Sequence, residues 1–237
     1  MHVKVQNDMN DLSEVVESYM ESAKGLKRFC HRCLNTERYG GNTVLMVVDA
    51  AFDSIGLDYF NCIVPKVLEF KERFVEDGSV QSLEDLGNLP HGQVEDLWAN
   101  ERFWNVATSV ASHLHELGEG RGLNDRQALR TWAKNADLEN WSGNPIGKIH
   151  GAGLTTYQYL RMMGGVDTAM PDKIVKRVIE DILEEAGQDM PTEDDVEFVE
   201  TVDRIAFLTG YRSIELCWMT WLRDFCFLPC FTPRYKI

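Results

Sequence analysis

Apolar residues recur along this chain at helical intervals. Phe103, Val106, Ala107, Val110, Leu114 and Leu117 are spaced three and four apart, which lines them up on one face of a helix. Ile174, Val175, Val178, Ile179, Ile182 and Leu183 repeat the pattern, as do Val199, Val202, Ile205 and Ala206. Thr192, with Asp195 three residues later, has the spacing of a cap opening that last helix. The run Thr43–Phe52 is apolar enough for a buried strand or a buried helix, and its Ala50 and Ala51 favour helix. The strict alternation of a half-buried strand is missing. The expected fold class is all-α.

Turn-forming residues cluster at Tyr39-Gly40-Gly41-Asn42, Asp77-Gly78, Leu89-Pro90-His91-Gly92, Gly118–Gly122, Ser142-Gly143-Asn144-Pro145 and Gly164-Gly165. They divide the chain into roughly nine or ten helices of ordinary length, with no internal repeat or long linker. Such helices pack as one unit or as two lobes with a groove between them.

At 237 residues, 44% of them hydrophobic and 26% charged, the chain has ordinary globular composition and can bury a sizeable core. No apolar run reaches the roughly 18–20 residues of a bilayer span, and the start of the chain has no signal-peptide core. It therefore reads as a soluble cytoplasmic protein without a membrane partner, nucleoid-associated if prokaryotic. Six cysteines over this length indicate thiols rather than a disulfide scaffold. The net charge of −14 taken whole argues against nucleic acid as a partner. The charge is unevenly spread, however. Eleven acids and no base lie between Glu180 and Asp203, whereas Pro145–Val178 carries Lys148, Arg161, Lys173, Lys176 and Arg177 against Asp167 and Asp172.

The most distinctive stretch is Ile149-His150-Gly151-Ala152-Gly153-Leu154-Thr155-Thr156-Tyr157, preceded by a Trp- and Leu-containing helix expected over Ala128–Trp141. Two glycines one residue apart between helices permit a tight turn and a helix start whose N–H groups point outward to hold a phosphate. Met170-Pro171-Asp172-Lys173-Ile174-Val175-Lys176-Arg177-Val178 follows, with Asp172 seventeen residues after Thr155.

Together, I-x-G-x-G-x-T and P-D-x-x-V-x-R-V resemble the helix-hairpin-helix DNA glycosylase superfamily (the HhH-GPD type). The resemblance extends more loosely over about 180 residues through the order and spacing of the helices. It implies a two-lobed helical fold with a groove between the lobes, one lobe being 43–140 and the other 1–42 with 141–237. The helix-hairpin-helix would occupy about 141–163. It further implies that backbone amides around Gly151 and Gly153, with Thr155, Thr156, Lys148 and Lys173, bind double-stranded DNA containing a damaged or mismatched base. Asp172 falls on the family's catalytic carboxylate. Thr155 falls where strand-cutting members carry a lysine, so the implied enzyme is monofunctional, with water as nucleophile.

The chemistry fits those residue types. Breaking the base–sugar bond builds positive charge on the deoxyribose, which a nearby carboxylate stabilises while orienting water. A Schiff base needs an amine, which threonine lacks. The base must leave the stack and enter a pocket, and an aromatic within Phe52–Phe60 is a candidate to stack on it. The family's gap-filling Gln has no counterpart in Ala51–Gly56, and Cys217, Cys226 and Cys230 do not match the spacing of its iron–sulfur subgroup. No cofactor is expected. Cys30-x-x-Cys33 has zinc-ligand spacing, with Cys226 and Cys230 as a conceivable second pair, but two buried thiols are the simpler reading. The acidic stretch reads as a solvated surface. The rival readings are a helix-hairpin-helix DNA-binding protein without catalysis and an acidic interaction module.

Overall fold

The computed structural model describes residues 2–53 and 58–225, with side chains over 12–53 and 58–223. Among these residues there is no strand, and the all-α expectation holds. The α-helices are α1 (His2–Ser22), α2 (Leu26–Leu34), α3 (Thr43–Phe52), α4 (Val64–Phe70), α5 (Leu83–Gly87), α6 (Glu101–Glu119), α7 (Asp125–Asn135), α8 (Leu154–Met163), α9 (Lys173–Glu185), α10 (Asp195–Thr209) and α11 (Ser213–Phe225). Among the described residues they form two compact units, one of Arg32–Val166 and one of residues 2–31 with 167–225. The division falls inside α2. The glycine hairpin belongs to the first of these units and Asp172 to the second.

In Arg32–Val166, α6 is the central element, with α3, α5 and α7 packed on it and α8 against α3 and α7. Its stripe behaves as the spacing requires: Phe103, Val106, Ala107, Val110 and Leu114 are buried, and Leu117 is half-buried. The Phe52 ring fills the centre, 4.7 Å from Trp98, 5.7 Å from Phe103 and 5.0 Å from Trp104. Phe52, Tyr59 and Phe60 are all buried, so none of the aromatics expected to stack on a flipped base is exposed to do so. Ser54–Gly56 of the gap-filling region lie outside the described residues. α7 also ends earlier than expected. Ala136 turns to extended backbone, and a 3-10 turn at Trp141–Gly143 follows.

Every residue of α3 is buried, including Asp49. A carboxylate cannot stay inside a helical core without partners. Asp49 Oδ2 accepts from Tyr59 at 3.0 Å and Tyr159 at 2.8 Å, and pairs with Arg38 Nη2 at 3.4 Å. Arg38 also donates to Tyr59, and the two tyrosine oxygens lie 2.8 Å apart. The carboxylate and phenol oxygens thus form a triangle. Two hydroxyl protons serve its three sides when Asp49 is ionised and three when it is protonated. Burial accordingly pushes the Asp49 carboxyl above its usual range, against the opposing pull of Arg38 and the tyrosine hydroxyls.

To bring Arg38 inside, the chain folds back sharply. Thr36 and Tyr39 take left-handed φ of 55° and 51°, followed by Gly40 at 71° and Gly41 at 87°. For the two non-glycine residues this conformation costs on the order of 1–2 kcal/mol each. α7 offsets it: Arg126 donates to the Asn35 carbonyl, and Arg130 Nη1 donates to Thr36 Oγ1 at 3.0 Å.

In the other unit, α1 packs on α9, α10 and α11. Trp218 packs tilted against Phe29 and edge to face against Trp221, at 4.7 and 5.1 Å between ring centroids. The cap of α10 is Asp194 rather than Thr192. Its Oδ1 accepts from Val196 N and Glu197 N at 2.8 and 3.1 Å, and a carboxylate at that place serves two amides at once. All eleven acids between Glu180 and Asp203 are exposed, as the solvated-surface reading requires.

Burial, with the Asp49 carboxylate adding to it, holds the Tyr59 and Tyr159 hydroxyls well above the ordinary phenol value of 10.0. Groups raised on folding contribute stability that is whole below their unfolded pKa and lost as pH climbs toward the folded one. The melting temperature should therefore hold up to about pH 9 and fall steeply above about pH 10. Part of the phenolate absorbance should develop only together with loss of helical circular dichroism. Full ionisation of every tyrosine while the helices persist would contradict this.

Candidate functional site

The hairpin is built from its first residue onward. Asn144, before Pro145, accepts on Oδ1 from the Trp132 indole at 3.2 Å and from Ile146 N at 3.1 Å. That fixes a single helical turn, closed by Lys148 N to Asn144 O at 3.0 Å and Ile149 N to Ile146 O at 3.2 Å. Ala152 N then reaches back to Ile149 O at 3.0 Å. Between them Gly151 has a φ of +99°, and a Cβ there would lie 2.9 Å from Arg102 Cγ and 3.1 Å from Val106 Cγ2. Glycine is required twice over, by the backbone angle and by the approach of α6.

Gly153 is the extended residue that opens α8, whose first helical bond runs from Tyr157 N to Gly153 O at 3.1 Å. The starts of α3, α6, α7, α9 and α10 are covered by the side chains of Asn42, Asn100, Asn124, Asp172 and Asp194. α8 has no such side-chain cap. Its orientation is set from behind, by Tyr159 on Asp49 and by the Tyr157 hydroxyl on Asp137 O at 3.0 Å.

Of the expected DNA-contacting residues in this unit, Lys148 is exposed, and Gly151, Gly153 and Thr155 are half-buried. Thr156 departs from expectation. Its side chain is fully buried because it lies on the inward face of α8's first turn, and its hydroxyl has no hydrogen-bond partner among the described residues. Only its main chain is left for a ligand. Arg102 and Asn105, on α6, were not singled out by sequence, yet both touch the hairpin. Arg102 Nη2 donates to Gly151 O and Asn105 Nδ2 to His150 O, each at 3.1 Å.

In the other unit Asp172 is the N-cap of α9 and is 6% exposed. Its Oδ1 accepts from Ile174 N at 2.8 Å and from the Trp221 indole at 3.2 Å. Among the described residues its Oδ2 takes part in no hydrogen bond or ion pair, and it is not fully enclosed. One oxygen fixes the carboxylate in place. Lys173, the first residue of α9, is exposed.

A cleft of about 430 Å³ lies between the starts of α3 and α7, lined among others by Thr43, Val44, Gln81, Asp125 and Arg126. Among the described residues no group of three His, Cys, Asp or Glu side chains converges as metal ligands. Cys30 and Cys33 are buried thiols, and Cys226 and Cys230 lie outside the described residues.

Compared with models of known families, with curated proteins and with solved structures, the chain matches none.

Gly151→Ala should lower the stability of the protein by about 1–3 kcal/mol, from the left-handed backbone and the crowding against Arg102. Gly153→Ala, where a Cβ meets nothing within 4 Å, should cost less than about 1 kcal/mol. Denaturant midpoints of the two variants decide this, and equal losses would contradict the assignment.

Proposed function

We propose that this protein is a monofunctional DNA N-glycosylase. It binds a duplex through the Gly151–Thr155 hairpin and hydrolyses off a damaged or mismatched base with Asp172 as the carboxylate. The observation that carries the reading is the state of Asp172, held by two N–H donors on Oδ1 and unengaged at Oδ2 among the described residues. A carboxylate that faces a sugar must be rigid enough to keep its position and must retain an oxygen for the cationic transition state. The Trp221 indole and the Ile174 amide supply the first requirement, and Oδ2 meets the second.

The hairpin supports the same reading. Its uncapped helix start offers main-chain donors to a phosphate. Lys148 stands exposed beside it. The eleven exposed acids sit on the unit that carries Asp172, and none falls within the hairpin. The second reading, DNA binding without catalysis, draws on the same Oδ1 bonds, since an N-cap that also accepts an indole has a structural role already.

Asp172→Asn separates the two. The amide keeps a carbonyl oxygen for Ile174 N and Trp221 Nε1, so α9 stays capped, while the negative charge is lost. On whichever duplex the wild type acts, the variant should lose base release by at least about 100-fold and bind DNA nearly as well. Release at the wild-type rate would leave only the binding reading. Because Thr155 offers no amine, borohydride added during turnover should trap no protein–DNA adduct, and strands should break only after alkali. Efficient trapping would overturn the monofunctional assignment and make Lys148 the first amine to replace.

A further inference from the structure

Two side chains of α6, one helical turn apart, hold consecutive carbonyls of the hairpin. Asn105 Nδ2 donates to His150 O and Arg102 Nη2 donates to Gly151 O. No peptide bond in the described chain is cis. In a trans peptide the carbonyl and the next residue's N–H point in opposite directions.

Two consequences follow. With His150 O drawn to α6, the Gly151 N–H is turned away from α6, and it donates to no group among the described residues. With Gly151 O drawn to α6, the Ala152 N–H points the other way and finds Ile149 O at 3.0 Å, closing the turn. The close approach of Arg102 Cγ and Nε to Gly151, 2.9 and 3.0 Å from where a Cβ would stand, locks the second peptide plane in place.

We infer that Asn105 and Arg102 are positioning residues for DNA binding, setting the Gly151 N–H outward as a donor for a backbone phosphate. This rests on the DNA reading of the hairpin proposed above. Neither residue is needed to fold α6. Both side chains project from its exposed face, while its buried stripe runs through Phe103, Val106 and Ala107. Asn105 is the more telling of the two, being uncharged. Its effect on DNA involves no counterion release, and the mobility of the Gly151 amide tells whether that effect passes through the loop.

The test is duplex affinity of the full chain across a salt series, for wild type, Asn105→Ala and Arg102→Ala, with backbone relaxation of the Gly151 amide in free protein. Asn105→Ala should weaken binding about fivefold to tenfold at an unchanged salt slope. The Gly151 amide should become more mobile, while helix content and melting temperature stay near wild type. Arg102→Ala should act in the same direction, and the double variant should fall short of the summed effects because both act on one loop. Wild-type affinity in Asn105→Ala overturns the inference. So does an Arg102→Ala loss accompanied by a slope reduced by about one, which marks direct phosphate contact. If wild type binds no duplex, the DNA reading itself fails. An unchanged Gly151 amide in Asn105→Ala then shows separately that the clamp does not order the loop.

Discussion

The unit that carries the hairpin depends on a buried carboxylate. Asp49 sits in a helix with no exposed residue, and its Oδ2 gathers Arg38, Tyr59 and Tyr159 from three other segments. Each partner explains a feature that would otherwise be costly. Arg38 accounts for the left-handed turn through Tyr39, Tyr59 for the register of the segment leading into α4, and Tyr159 for the placement of α8. Removing one member of a buried pair leaves the other uncompensated, at a cost of about 3–5 kcal/mol. The cluster therefore specifies one arrangement of α3, α8 and the Arg38 turn. The hairpin in front of α8 inherits that rigidity.

At the hairpin the same logic runs outward. α8 is fixed from behind by Tyr157 and Tyr159, the loop is held from the side by Arg102 and Asn105, and its start is set by Asn144. The remaining main-chain donors need no side-chain charge to attract an anion. On the DNA reading proposed above, such donors would let a protein with a net charge of −14 hold a phosphate locally. Asp172 shows a comparable economy in the other unit, where a single oxygen caps α9 and holds the Trp221 indole.

Much of this was legible in the sequence, and what was not has identifiable causes. Helical periodicity located the buried faces of α6, α9 and α10, because a solvated helix must keep its apolar residues on one side. Gly151 was legible because a left-handed turn leaves few other residue types. The Arg38–Asp49–Tyr59–Tyr159 cluster was not. Its members are up to 121 residues apart, and Arg and Asp are read as surface residues until a fold supplies their partners. Arg102 and Asn105 were hidden because their work is done from an exposed helix face, where polar residues carry no signal. The early end of α7, the Asp194 cap and the buried ring of Phe52 were decided by competition among local alternatives, which tertiary packing settles.

The glycosylase reading proposed above needs both the Asp172 carboxylate, with one oxygen open among the described residues, and the hairpin with its uncapped helix start. The most direct measurement incubates the wild-type protein with a panel of duplexes, each carrying one alkylated, deaminated, oxidised or mismatched base, followed by hot alkali. The account predicts cleavage at the modified position of at least one duplex, absent without alkali. No alkali-labile site in any duplex, together with no binding to any of them, would contradict it.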